Sequence, residues 1–326
     1  MDIALRTTAA AIALSLLTLP GAAQVGKVSP EDVVDGALDM KRASEKADKL
    51  IPDGTKYCKW GVASLDTSDL EVAISRSLLN HGSNVPEKIP ASKMWRVSLV
   101  AADIINQFAM NVSECDLRLR SSDQARAVFL SASPALERLI TVRTRFDELA
   151  YQQTRWQEQS TQAPRNDEVP DPPGAGKLAT GEILAAAREM KEAAEAAGRV
   201  TATSRKNSAC IHADNQGKAP DFTDLTKLID YMIAVSGSNS TSTIPAANMW
   251  GVSSAGDAAQ VDILLTLEGC STYAGEKKEA RSAATESLQV YHRLTAAIAA
   301  FDALALRQTE WEEKCAALSE SVIREQ

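Results

Sequence analysis

The sequence predicts an all-α protein in which a four-helix bundle-like domain occurs twice in tandem. Three observations predict this fold: an internal repeat, a composition rich in alanine with only 5% aromatic residues, and apolar side chains at helical spacing. No segment alternates apolar and polar residues in the way that a half-buried strand does. The composition therefore favours close-packed helices over sheet.

The internal repeat rests on two blocks of residues that recur 155 positions further along the chain. Positions 82–98 align with 237–253 and share ten of 17 residues, and positions 146–156 align with 301–311 and share seven of 11. Local composition alone does not produce matches of this quality, so we interpret the repeat as a duplication of one helical unit.

The repeat and the local composition divide the chain into four predicted segments. They are a signal peptide (1–23), helical repeat 1 (29–160), a Pro- and Gly-rich linker (161–177) and helical repeat 2 with an extended C-terminal helix (178–326). The apolar run of the signal is about half of the ~20 residues that span a bilayer. We therefore expect an exported chain, periplasmic or secreted, without stable insertion in a membrane.

The first helix of each copy is predicted over 30–50 and 180–199, because apolar and small residues recur there at a 4,3 spacing. Ser29 stands at the capping position of the first of these helices, directly before a proline. A second helix is predicted over 69–79 and 224–235, and each of these ends near a glycine that can terminate a helix.

The third helix of each copy is expected to start at Pro90 and Pro245, because proline pre-sets φ for a first helical turn. The fourth helix is long: its apolar residues follow a heptad-like spacing over 139–156 and over 294–322. Two interpretations of the longer seam are open. It packs within its own copy, or it joins two chains in a homodimer through 294–322.

The five cysteines suggest a disulfide pattern. Pairing Cys58 with Cys115 and Cys210 with Cys270 treats the two copies alike, and an exported protein permits such bridges. Cys315 has no cysteine counterpart in the first copy; it is either a small core residue or a thiol that pairs with another chain. Cysteine and histidine spacings typical of metal sites are lacking, so we predict no metal and no cofactor.

Signatures of catalysis are lacking as well. The sequence has no nucleophile elbow, phosphate-binding loop, dinucleotide fingerprint or zinc-protease motif, which makes an enzyme the less expected class. Asp147 and Asp302 are shared between the copies; a solvated helix face is the favoured interpretation, and an acid buried across the bundle is the alternative. The formal net charge of −8 disfavours nucleic acid as a partner.

The best candidate for a binding surface combines the predicted loop after the second helix with the start of the third. Helix N-termini present N–H groups that attract anions, and tryptophan offers a large amphipathic contact. The candidate residues are Gly82, Ser83, Asn84 and Trp95 in the first copy, and Gly237, Ser238, Asn239 and Trp250 in the second. The favoured interpretation of these residues is nevertheless structural: the glycine ends one helix, the proline starts the next and the tryptophan fills the core.

These observations favour an exported, non-catalytic protein whose two helical modules bind a protein or a cell-envelope component. Two linked modules would raise the affinity for a partner that engages both. A structural, oligomer-forming envelope protein that uses the C-terminal heptads is one alternative. A small-ligand carrier or an enzyme with an unfamiliar site inside the bundle is the other.

Overall fold

The structure is a computed structural model, and every regular element that it describes is a helix. This confirms the all-α prediction. The described residues are 27–61, 64–79, 85–86, 88–116, 122–161, 178–206, 222–237, 244–274 and 278–325. The predicted signal peptide and residues 162–177 of the predicted linker lie outside these ranges.

Each half of the described chain contains four main helices. In the first half, residues 27–161, they are α1 (Pro30–Asp48), α2 (Thr67–Ser77), α3 (Ala91–Asp116) and α4 (Asp123–Thr161). In the second half, residues 178–325, they are α5 (Thr180–Lys206), α6 (Thr223–Gly237), α7 (Ala246–Ala274) and α8 (Lys278–Glu325). A short helical turn, Ile51–Asp53, runs into a π-helical segment, Gly54–Cys58, between α1 and α2.

The helices begin close to where the sequence predicts. Ala91 and Ala246 are the first residues of α3 and α7, each directly after its proline. The carboxylate of Asp66 caps α2 by accepting a hydrogen bond from the backbone N–H of Asp69 at 3.3 Å. Ser29 occupies the predicted N-cap position of α1, but its hydroxyl makes no capping bond to the backbone and donates to the side chain of Glu31 at 2.7 Å.

The spacing that predicted α1 and α5 marks the buried faces of both helices. The buried residues at these positions are Val33, Ala37, Met40, Ser44 and Ala47 in α1, and Ile183, Ala187, Met190, Ala194 and Ala197 in α5. One continuous hydrophobic core includes side chains from both halves. Helices α3 and α4 pack against α7, and α3 also packs against α8, so the halves are docked on each other.

The long heptad seam packs within this chain over most of its length. Leu294, Phe301, Gln308 and Trp311 on α8 are all buried inside the single chain. Cys315 lies further along the same helix and is half-buried. The side chains of the proposed dimer seam from Leu294 to Trp311 therefore pack inside this chain.

The predicted bridge between Cys58 and Cys115 is present, with the two Cα atoms 4.6 Å apart. It ties the π-helical segment to the C-terminal end of α3. Gly54 is required beside this bridge, because a Cβ atom there would lie 2.0 Å from the ring of Trp60. Cys210 lies outside the described residues, so the second predicted bridge stays a prediction.

Replacing Cys58 and Cys115 together by serine is expected to lower the free energy of unfolding by about 4 kcal/mol, because the bridge closes a long loop in the unfolded chain. Urea unfolding followed by circular dichroism measures the loss. Cys315→Ser is the matched control and should cost much less. A double variant as stable as the control would show that the bridge contributes little.

Candidate functional site

Two tryptophans stack at the centre of the contact between the halves. Trp95 on α3 and Trp250 on α7 lie with ring centroids 3.8 Å apart and planes 8° apart. Each indole N–H donates to a threonine of its own half, Trp95 to Thr154 at 3.0 Å and Trp250 to Thr309 at 2.9 Å. The two rings are related by the 155-residue shift, and contact between related residues is characteristic of a twofold arrangement.

Two carboxylates cross between the halves in a reciprocal way. Glu158 of α4 accepts from the backbone N–H of Ala247 at 2.8 Å, and Glu313 of α8 accepts from that of Ser92 at 3.0 Å. The 155-residue shift converts one contact into the other. The first turn of each receiving helix is thus bound by an acid of the opposite half, which the positive end of a helix dipole favours.

The long helix of each half adds a second acceptor to the same helix starts. Gln157 accepts from the N–H of Ala91 at 3.3 Å, and Glu312 accepts from that of Ala246 at 3.1 Å. Backbone donors that were expected to attract an external anion are therefore bound by side chains of the chain itself.

A buried charge cluster lies beside the stack and contains residues from both halves. Arg143 of α4 donates to Asp257 of α7 at 2.7 Å, and its Nε lies 3.3 Å from an oxygen of Asp147 on α4. The side chains of Arg143 and Asp147 are 11% and 12% exposed, and Asp302 of α8 is 3% exposed. We call Arg143, Asp147, Asp257 and Asp302 the acid cluster.

Two serines support the two aspartates that the repeat shares. Ser98 donates to Asp147, and Ser253, which is related to Ser98 by the shift, donates to Asp302. Both aspartates are therefore buried acids bonded across the bundle. The favoured interpretation of a solvated helix face was wrong, and the alternative is confirmed.

Burial controls the protonation of the shared aspartates. Burial raises the pKa of Asp302 to about 8; the neighbouring charge of Asp257 adds to the rise, and Ser253 and Arg143 oppose it. Burial also raises the pKa of Asp147 to about 6, against the lowering effect of Arg143. Burial by itself would lower the pKa of Arg143, but Asp257 and Asp147 outweigh it and the pKa is raised.

The ion pair between Arg143 and Asp257 breaks the repeat. At the related positions the chain has Ile298 in place of the arginine and Ala102 in place of the aspartate. Ile298 packs close to α7, where a Cβ atom added to Gly256 would lie 3.0 Å from it. The reciprocal contacts are thus combined with a buried ion pair that only the pairing of the first half with the second provides.

A second unrepeated polar group continues from the acid cluster along the same contact. The hydroxyl of Tyr291 and the side-chain amide of Gln260 both donate to the Oδ1 atom of Asn106 at 3.1 Å. Burial raises the pKa of Tyr291, so its hydroxyl keeps its proton. Asn106 lies in the first half and its two donors lie in the second, so these bonds also join the halves.

The structure describes three of the eight residues of the candidate binding surface. Trp95 and Trp250 are only 2% and 1% exposed, so neither ring offers a contact to a partner. Gly237 is the last residue of α6. The other five, Gly82, Ser83, Asn84, Ser238 and Asn239, lie outside the described residues, and their role as binding residues stays a prediction.

Sequence reasoning did not identify the acid cluster. One signal was available: Arg143 stands four residues before Asp147, the aspartate that the repeat shares, and this spacing places the two side chains on one face of a helix. The partners Asp257 and Asp302 lie 114 and 155 residues beyond Arg143 and Asp147, and only the docking of the halves brings them near.

Comparison with protein families, curated proteins and solved structures finds no match for this chain. Across the part of the chain that the structure describes, no helix combines the length and apolarity needed to cross a membrane. No group of three or more histidine, cysteine or acidic side chains in that part is placed to hold a metal ion.

Replacing Arg143 by isoleucine, the residue at the related position, is expected to lower the free energy of unfolding by about 3–5 kcal/mol, because buried acids lose their counter-charge. Adding Asp257→Ala should recover about 1–3 kcal/mol of that loss by removing one unpaired acid. Urea unfolding at pH 7 of both single variants and the double variant measures the coupling.

The exposed pair of Lys191 and Asp230 provides the control cycle, since surface ion pairs contribute below about 1 kcal/mol. Strictly additive effects of Arg143→Ile and Asp257→Ala would contradict an energetic link between the two residues.

Proposed function

We propose that this chain is an exported, non-catalytic binding protein whose two docked halves act as one preassembled unit. The proposal includes the finer account of the fold, in which a four-helix bundle was duplicated and each copy has one disulfide. The reciprocal stack and caps support the duplication, because they join residues that the 155-residue shift relates.

The partner that this proposal favours is a protein of the cell envelope, bound at α6. Two of the five large apolar side chains exposed among the described residues lie on this helix: Tyr231 is 64% exposed and Val235 is 49% exposed. They are four residues apart and so share one helical face. This pair, which we call the α6 apolar strip, is the observation that carries the proposal.

The chemistry of the strip suits a protein partner. An exposed tyrosine combines a large apolar ring with a polar hydroxyl and is enriched at protein interfaces. An anionic membrane surface is disfavoured, because the chain has a formal net charge of −8. The residues related to Tyr231 and Val235 are Arg76 and Asn80, so the strip belongs to the second half alone.

Neither alternative function gains support of its own. The heptad seam of the oligomer-forming model is buried within the chain from Leu294 to Trp311. For the ligand-carrier model, Gln153 would have to offer its amide to a ligand. That amide instead accepts from Val28 at 3.3 Å and donates to Ile89 at 3.1 Å within the first half.

Replacing Tyr231 and Val235 together by serine is expected to weaken binding to an envelope protein at least tenfold, the effect of losing about 1.4 kcal/mol at an interface. The wild-type chain first captures its partner from the envelope fraction of the source organism. Calorimetric titration of that purified partner then compares the variants.

The matched control replaces Val72 and Leu130, which are 41% and 66% exposed on other helices, by serine. The control should bind as the wild type does. If the Tyr231 and Val235 variant bound as tightly as the wild type, the assignment of the site to α6 would be wrong. Capture of no protein at all by the wild type would contradict the binding function.

The duplication also predicts a bridge between Cys210 and Cys270. Peptide mapping of the exported chain without reduction is expected to yield a cross-linked peptide that contains both residues. A reduced Cys270 in a protein whose Cys58–Cys115 bridge is intact would contradict one disulfide per copy.

A further inference from the structure

We propose that the contact between the two halves is a joint that alkali opens, held closed at neutral and mildly acidic pH by the proton on Asp302. The joint does not depend on the proposed partner. Three carboxyl groups of the acid cluster surround a single guanidinium group at the contact between the halves.

The arrangement leaves Asp302 with the weakest compensation for a negative charge. The guanidinium group of Arg143 contacts Ser98, Asp147 and Asp257. Asp302 accepts a hydrogen bond from the hydroxyl of Ser253 instead. Ionisation of all three acids would leave the buried cluster with two uncompensated negative charges, and buried charges without partners are strongly destabilising.

The charges of the cluster belong to both halves. Arg143 and Asp147 come from α4 in the first half, and Asp257 and Asp302 come from α7 and α8 in the second. The strongest repulsion on Asp302 comes from Asp257 in its own half, whereas across the joint Arg143 attracts and Asp147 repels its carboxylate. Burial is the largest effect on Asp302, and separating the halves relieves it by exposing the carboxylates to water. The fold within each half depends less on this cluster, since the helices of each half pack on one another more extensively than the two halves do.

The direction of the pH effect follows from proton binding. Burial raises the pKa of Asp302 to about 8, whereas a solvated aspartate has its ordinary value near 3.8. Between these two values the closed state binds more protons than the open state, so closure is favoured at lower pH. That advantage falls as pH rises and is lost once pH passes the closed-state pKa.

The neighbouring charges act in the same direction or stay constant. Asp147 also has a raised pKa, near 6, so its ionisation opposes closure at a lower pH. Burial likewise raises the pKa of Glu313, which crosses the joint to Ser92. The pKa of Arg143 is raised, so its charge stays constant over this range.

Every helix packed against α8 contributes charged groups. The groups near Asp302 are Arg143 and Asp147 from α4 and Asp257 from α7. The more exposed groups come from the other two helices: Asp103 and Arg96 from α3, and Glu182, Glu189 and Glu192 from α5. The exposed acids of α5 pair with Arg307 and Arg293 at the surface, in contact with water.

Indole N–H resonances provide a local test in the full chain. Trp95 and Trp250 shift each other's resonances through their ring currents while they are stacked, and Trp95→Phe and Trp250→Phe assign them. In the wild type both resonances should lose this shift as pH rises, with a midpoint no higher than the closed-state pKa of Asp302, which is about 8. The resonance of Trp60, which packs against Phe108 within the first half, should not move.

Asp302→Asn keeps an acceptor for Ser253 and removes the ionisation, so this variant should stay stacked up to pH 9.5. Ser253→Ala removes a hydrogen bond that lowers the closed-state pKa of Asp302, so ionisation of Asp302 destabilises the closed state more and this variant should be more completely open than the wild type at pH 9.5. This second variant tests the proposal if Asp302→Asn does not fold. Asp230→Asn, an exposed control, should follow the wild type.

Two outcomes would contradict the proposal that alkali opens the contact between the halves. The first is a wild type whose Trp95 and Trp250 resonances do not change between pH 6 and pH 9.5. The second is an Asp302→Asn variant that opens at the same pH as the wild type. Simultaneous movement of the Trp60 resonance would also contradict the proposal, because it would show unfolding of the first half rather than separation of the halves.

Discussion

The stacking of Trp95 on Trp250 is the contact on which the rest of the arrangement depends. Its geometry brings α3 and α7 together at their N-terminal turns, where each long helix of the opposite half supplies an acid. Rings of this size bury a large apolar area, which matters in a chain with only 5% aromatic residues. The threonine acceptors on the two long helices satisfy the indole donors and so allow both rings to be fully buried.

The stacked tryptophans and the reciprocal caps do not by themselves favour the pairing of the first half with the second over the pairing of either half with another copy of itself. The contact between Arg143 and Asp257 does, because neither residue is present at its related position. A buried ion pair contributes little net stability but penalises arrangements that leave one charge alone. In this protein it favours a chain that closes on itself. The acid cluster also makes the contact between the halves sensitive to pH, since it contains three carboxyl groups and one guanidinium group.

The candidate site was only partly accessible to sequence reasoning. The tryptophans were singled out by their repetition and are core residues, as the favoured structural interpretation predicts. Asp147 and Asp302 were noted as shared acids, but they are buried in the bundle and do not lie on a solvated helix face. The copies share these tryptophans and aspartates because both halves contribute them to the interior of the contact between the halves. The exposed strip of α6 has no counterpart in the first half, so comparison of the copies did not identify it.

The sequence by itself determined the helices, the buried faces of α1 and α5, the helix starts after Pro90 and Pro245, and the bridge between Cys58 and Cys115. These features depend on short-range spacing, on the φ preference of proline, or on the order of cysteines in the repeat. Only the tertiary structure decided that the halves dock and that Trp95 meets Trp250. These contacts join residues more than a hundred positions apart, and only the relative orientation of packed helices selects them.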